Sequence, residues 1–228
     1  FFNSFGTEVT LIEALDQVLP REDTEIAQML SLSLSEQGID VRTGVRVQGV
    51  DTKGKEMVKV RIKAGGGGEE EVISAEKVLM AVGVAGNASE LGLEAAGIRR
   101  NKAGIEVNGR LETSVKGISA IGDVIGPPQL AHAASAEGIA AVEFMAGHER
   151  EEIDYSNIPS CTYCQPQVAS VGLTEAQAKE AGHDVKVGRF PFSASGKARA
   201  VGDTEGLVKL VFDAKLGEVL GASIIGSE

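Results

Sequence analysis

At 228 residues the chain is long enough to bury a core in one or two domains. It is 43% hydrophobic and 24% charged, with 29 Gly, no Trp and a net charge of −11. That balance argues against a nucleic-acid stacking platform or an anionic-membrane binder, and no apolar run reaches membrane-span length. Two Cys cannot build a disulfide framework, so a reducing compartment is the default, and no signal peptide is visible.

Residues 1–6 read as the last turns of a helix closed by a glycine cap. Residues 7–13, TEVTLIE, predict a strand ending in an acid; alone, Glu13 is an exposed charge. Residues 23–37 predict an amphipathic helix capped by Asp23 and stopped by Gly38, with Met29, Leu30 and Ser33 on one face. Ile39, Asp40 and Val41 open a strand. Val45, Val47 and Val50, then the alternating Val58, Val60 and Ile62, predict an antiparallel meander. Its turns fall at 53–55 and at the four glycines 65–68. Those glycines suit a hairpin tip better than a phosphate cradle, because no helix start follows. Residues 78–82 predict a buried strand and 87–98 a crossover.

The stretch richest in chemistry is 113–123, TSVKGISAIGD. Residues 118–121 predict a buried parallel strand, and Gly122 permits a close approach because it lacks a Cβ. Asp123 then falls at the strand's carboxyl end, the edge where open α/β sheets bind ligands. Two readings are open: a carboxylate that accepts from sugar or polyol hydroxyls, or a helix cap. Residues 131–146 predict a helix whose small side chains allow close packing on a sheet or a flat ring, ending at Gly147. EREEID, 149–154, is a solvated acidic linker. Beyond it come a strand at 168–171, a helix at 175–180 capped by Thr174, and antiparallel strands at 190–192, 207–212 and 219–225.

Cys161 and Cys164 form a C-x-x-C in an extended segment beside Pro159 and Pro166. Along a strand, i and i+3 point to opposite faces, so the pair reads as structural rather than as a bridge or metal site. His148 and His183 follow glycines in polar loops and read as solvated. No G-x-S-x-G, H-E-x-x-H or Walker sequence occurs, and no metal site is expected.

The block TSVKGISAIGDV, with QLAHAA and AEG behind it, resembles the second flavin-binding segment of the two-dinucleotide-domain flavoprotein disulfide reductases. Within these class I pyridine nucleotide-disulfide oxidoreductases it looks most like the dihydrolipoamide dehydrogenase group, and the likeness runs from end to end. The resemblance implies an α/β fold: a Rossmann-like NAD domain, a partial FAD domain and a partial α+β dimerisation domain. The implied boundaries are 1–85, without the first strand and glycine-rich loop, then 86–152, then 153–228. It implies that Asp123 holds the ribityl chain of FAD, with Gly122 beside the same cofactor, and that Gln129, Leu130, Ala131 and His132 lie against the isoalloxazine ring. Glu13 would take the adenosine ribose hydroxyls of NAD and disfavour NADP, with Val47 and Gly83 beside the same coenzyme. Val84, Ala85 and Gly86 stand where the family usually has an Arg and a Pro, so no charge contact carries over there.

The group's activity would be oxidation of dihydrolipoyl thiols through a redox disulfide and FAD, with hydride transfer to NAD. The family's C-x-x-x-x-C and His-x-His-Pro segments do not occur in these residues, so no catalytic residue is assigned. The expectation is a part of a longer flavoenzyme, inactive by itself. Alternatives are a mercuric or glutathione reductase-like enzyme, or a folded module that dimerises without redox work. The implied partners are a lipoyl carrier domain of a 2-oxo acid dehydrogenase complex and a second copy of the chain, with no nucleic acid or membrane. The implied location is the cytoplasm or the mitochondrial matrix.

Overall fold

The structure, a computed structural model, describes residues 1–54 and 57–227. Lys55 of the expected 53–55 turn and Glu228 at the chain end lie outside the described residues. The helices are α1 (Thr24–Glu36), α2 (Leu93–Ala96), α3 (Ala131–Met145), α4 (Glu175–Glu180) and α5 (Gly196–Val201). The chain forms two compact units, Phe1–Met80 with Pro159–Glu228, and Ala81–Ile158.

In the first unit, β1 (Thr10–Ile12) pairs in parallel with β2 (Asp40–Arg42), Leu11 opposite Val41. Parallel neighbours need a crossover, and α1 supplies it. Asp23 caps α1 by accepting from the Glu25 N–H at 3.0 Å, which satisfies one of the orphan donors of the first turn. Gly38, at φ +91°, makes the left-handed exit. Ile26, Ala27, Leu30 and Ser33 are buried along one face, with Met29 partly covered beside them.

β3 (Val45–Asp51), β4 (Val58–Ala64) and β5 (Glu70–Ala75) form the antiparallel meander. Val60 and Ile62 alternate onto its covered side, as the period-two pattern predicts. The glycines at 65–68 form the tip between β4 and β5. Residues 78–82 correct the sequence reading: they form no strand, and Leu79, Met80 and Val82 are 78%, 70% and 86% exposed. The reason is the absence of a ladder partner, since no strand among the described residues pairs with this run.

Five antiparallel strands complete the unit. They are β6 (Ser160–Thr162), β7 (Gln167–Gly172), β8 (Val185–Pro191), β9 (Gly206–Asp213) and β10 (Val219–Gly226), in spatial order β6-β7-β10-β9-β8. β8 starts at Val185 and ends at Pro191, so Phe192 belongs to the 3-10 turn that follows it. α4 opens on a capping box. The Thr174 hydroxyl accepts from the Gln177 N–H at 3.2 Å, and the Gln177 side chain accepts from the Thr174 N–H at 2.9 Å. Along β9, Leu207, Lys209, Val211 and Asp213 turn to the buried face. Ile26, Ala27 and Leu30 of α1 share one core with Val18, Val168, Leu207 and Ile225. Each fully buried side chain of the Val168 or Ile225 class contributes about 1.5–3 kcal/mol.

Lys209 is the exception on that face. It is 3% exposed and meets Asp23 at 2.8 Å, Glu175 at 2.9 Å and Glu25 at 3.0 Å. Arg189 closes the cluster, 2.8 Å from Glu25 and 3.5 Å from Glu175. Hydrogen bonds from Lys179 and Lys209 hold the Glu175 carboxyl down at about 2. A carboxyl depressed on folding stabilises the fold above its unfolded pKa, and that stability is lost as the pH falls through the folded value. Urea midpoints should therefore hold down to about pH 4.5 and then fall toward about pH 2. Glu175→Gln should flatten that part of the fall, and a variant profile parallel to wild type would contradict the assignment.

His183 also departs from the solvated reading. Its Nδ1 lies 3.0 Å from Asp213 Oδ2, and the pairing holds the Asp213 carboxyl at about 2, helped by the Leu216 and Lys215 amides. The glycine before it closes α4, and the strand end that faces it carries the acid, a juxtaposition created by the β9 register.

The second unit holds α2 and α3 with extended segments joined by isolated bridges, such as Glu112 with Ser119. Residues 118–121 are therefore not a buried parallel strand: Ile118 and Ile121 are each 39% exposed. The physical reason is that its neighbour is antiparallel and too short for a ladder: Ser119 bridges Glu112, and the Ala120 N–H donates to the Leu111 carbonyl at 3.1 Å. α3 buries Ala133, Glu137, Ala140, Ala141 and Phe144, while Ile139, Val142 and Met145 face outward. Gly147 ends it at φ +80°.

Candidate functional site

Six of the residues expected around a flavin lie close along the chain in the second unit. Gly122 and Asp123 open a 3-10 turn, Gly122–Ile125, rather than ending a regular strand. Gln129 and Leu130 lead into α3, and Ala131 and His132 form its first turn. Leu130 occupies the N-cap position and offers no side-chain acceptor. The first amides of this 15-residue helix thus have no side-chain cap, and the positive end of the helix dipole stays available.

The backbone beside Asp123 is packed tightly from several sides. Gly122 has φ +72°, a conformation that side chains rarely adopt, and a Cβ there would touch Ala134 at 3.4 Å. Gly86 lies so close that a Cβ on it would meet the Asp123 carbonyl oxygen at 2.7 Å. The Ile105 N–H donates to the Val124 carbonyl at 2.8 Å. The Asp123 side chain itself is exposed. The arrangement is a fixed backbone presenting one accessible carboxylate near an uncapped helix start. Polyol hydroxyls could donate to that carboxylate, and the amides suit an electron-rich ring edge. These features fit a flavin.

One residue of this segment was not legible as a contributor. Glu137 is 1% exposed; its Oε2 accepts from the Gly122 N–H at 2.6 Å and its Oε1 from the Tyr155 hydroxyl at 3.0 Å. Burial and the carboxylate together push Tyr155 up to about 12. A signal existed in the sequence. Glu137 shares the helical stripe of Ala133, Ala140, Ala141 and Phe144, where an acid must find partners once buried.

The residues expected to face NAD fall in different units. Glu13 follows β1; its N–H donates to the Arg42 carbonyl at 2.9 Å, and its Oε1 accepts from the Leu15 N–H at 2.8 Å. Its carbonyl accepts from Val45 at 3.0 Å, which ties it to the start of β3. Val47 lies on β3 and is 50% exposed. Gly83 belongs to the second unit, exposed, with φ +104° and nothing within 4 Å of a Cβ position. A backbone this open permits close approach of a ligand.

Both cysteines are free thiols. Cys161 pairs with Ala169 on β7, one position from the buried Val168, so it points away from the core shared with α1. Cys164 packs against that core, and its thiol donates to the Pro166 carbonyl at 3.1 Å. Burial pushes its pKa up, the reverse of what a reactive thiol needs. Among the described residues no group of three or more His, Cys, Asp or Glu is placed to hold a metal ion. None of the described helices is long and apolar enough to cross a membrane.

Known proteins resemble the chain along its whole length. Residues 1–138 match the family described as pyridine nucleotide-disulphide oxidoreductase, and residues 158–228 match its dimerisation domain. The chain is 44% identical over 229 aligned residues to a dihydrolipoyl dehydrogenase of Rhizobium etli, covering 100% of this chain and 47% of that protein. It is 44% identical over 228 residues to a dihydrolipoyl dehydrogenase of Thermus scotoductus, covering 100% and 49%. The chain thus spans about half the length of the curated relatives it matches. Among solved structures, the HOCl-induced flavoprotein disulfide reductase RclA from Escherichia coli superposes with a TM-score of 0.88 at 31% identity, covering 100% of this chain and 51% of that one.

Proposed function

The chain belongs to the pyridine nucleotide-disulphide oxidoreductase family, and from that premise we propose that it supplies flavin- and NAD-facing parts of a dihydrolipoyl dehydrogenase. The observation that carries the reading is the exposed Asp123 carboxylate on a fixed backbone beside the uncapped start of α3. Identities of 44% to dihydrolipoyl dehydrogenases favour this over a glutathione or mercuric reductase.

FAD, when bound, would supply the redox chemistry between a dihydrolipoyl thiol pair and NAD. The residues of this chain bind and orient. Asp123 accepts hydrogen bonds from the ribityl hydroxyls. Gln129, Leu130, Ala131 and His132 would line the flavin ring, and the uncapped α3 amides would offer it hydrogen-bond donors. Glu13 accepts from the adenosine ribose hydroxyls, Val47 flanks the nicotinamide, and Gly83 lets the backbone approach. Residues 1–85 serve NAD, 86–152 FAD and 153–228 dimerisation. The substrate is a dihydrolipoyl group on a carrier domain of a 2-oxo acid dehydrogenase complex. The working form is a homodimer, in the cytoplasm or the mitochondrial matrix.

The test is NAD reduction by dihydrolipoamide, catalysed by the protein at its full natural length. Turnover is expected with NAD, and far less with NADP because the Glu13 carboxylate repels a 2′-phosphate. Glu13→Ala should narrow that gap in kcat/KM by about tenfold, the scale of one charged hydrogen bond. A wild type that prefers NADP would sink the Glu13 assignment, and no turnover with dihydrolipoamide would sink the substrate class.

A further inference from the structure

We infer that Glu137 is a positioning residue for the flavin segment: it fixes Gly122 and, through it, the direction of the Asp123 carboxylate. The inference rests on the reading of Asp123 as a flavin contact.

Glu137 is 1% exposed, on the α3 stripe otherwise made of Ala133, Ala140, Ala141 and Phe144. Burying a carboxylate is unfavourable unless its oxygens are hydrogen-bonded. Each oxygen here has a partner distant in sequence. Oε2 takes the Gly122 N–H at 2.6 Å, and Oε1 takes the Tyr155 hydroxyl at 3.0 Å. All three residues lie within Ala81–Ile158.

The tie falls where the chain is least constrained by itself. Glycine populates both signs of φ readily, and Gly122 is held at +72° immediately before Asp123. Release of its amide would let the peptide rotate and swing the next side chain. On the other side, Gly86 and the Ile105 N–H already hold the 123–124 backbone. Glu137 supplies the opposing contact, and Tyr155 holds Glu137 in its rotamer.

The experiment measures the FAD dissociation constant and the visible circular dichroism of bound flavin, in the protein at its full natural length. Glu137→Ala should weaken FAD by about tenfold and alter the dichroism, the scale of losing one charged hydrogen bond. Glu137→Gln keeps an acceptor for the Gly122 amide and should recover most of the affinity. Adding Glu137→Ala to Asp123→Ala should cost little more than Asp123→Ala alone, because one residue acts through the other. If the alanine variant does not fold, Tyr155→Phe leaves the volume intact and should give a smaller change in the same direction. Wild-type affinity and dichroism in both Glu137→Ala and Tyr155→Phe would overturn the inference, as would strict additivity with Asp123→Ala. Wild-type protein that takes up no FAD would instead overturn the flavin reading on which it rests.

Discussion

Lys209→Met is expected to destabilise the protein by about 3–5 kcal/mol, the cost of removing one partner from a buried ion cluster. The methionine keeps the apolar stem and most of the volume, so the loss is electrostatic. Lys209 is 3% exposed and is the shared cation of Asp23, Glu175 and Glu25, at 2.8, 2.9 and 3.0 Å. Burial alone would lower its pKa, but hydrogen bonds to the three acids outweigh that and raise it. A raised lysine contributes its full stability below the unfolded pKa and loses it only as the pH climbs through the folded value. The contribution is therefore intact at neutral pH. Without the ammonium, the buried Asp23 loses its ion-pair partner, while Glu25 keeps Arg189 and Glu175 keeps Arg189 and Lys179. Asp23 also caps α1, so the damage reaches the helix that shares a core with β7, β9 and β10. Thermal and urea unfolding should both register it, with a Tm drop of roughly 10 °C for a chain of this size. A loss under about 1 kcal/mol would mean the carboxylates find water instead, and that the cluster is not structurally required.

Local chemistry was legible from sequence wherever it decided the outcome. Asp23 before an apolar-periodic run and Gly38 after it marked both ends of α1. Thr174 marked the start of α4. Val58, Val60 and Ile62 alternated, and β4 formed with Val60 and Ile62 covered. The failures share a cause. Residues 78–82 and 118–121 are apolar enough for buried strands, but a strand exists only with a neighbour long enough for a ladder, and a period-two or apolar run says nothing about who that neighbour is. Lys209 sits in GLVKLVFD as an unremarked polar residue; its meaning depends on acids brought to it by α1 and α4. His183 looked solvated because Asp213 is thirty positions further on. Around Asp123 the residues proposed to face the flavin were readable as a motif. Glu137 was not, because an acid in a helix reads as surface until its face is known.

The most direct measurement is the FAD dissociation constant of wild type against Asp123→Ala, in the protein at its full natural length. The claim at stake is that the turn Gly122–Ile125 and the start of α3 seat the flavin. Gly122 holds a left-handed conformation at φ +72°, and Gly86 approaches the Asp123 carbonyl too closely for any side chain. That fixed backbone gives the exposed carboxylate a defined direction, so a hydroxyl donor meets it with little reorganisation. A hydrogen bond to a charged acceptor contributes about 1.5–3 kcal/mol, which is roughly ten- to hundredfold in affinity. Asp123→Asn should fall between, since the amide retains one acceptor oxygen but no charge. Because Asp123 is exposed and caps no helix through its side chain, neither variant should change the unfolding free energy of the apoprotein by more than about 0.5 kcal/mol. The account predicts a large loss of FAD with unchanged apoprotein stability. Unchanged FAD affinity in Asp123→Ala, or an equal loss of stability and affinity, would contradict it.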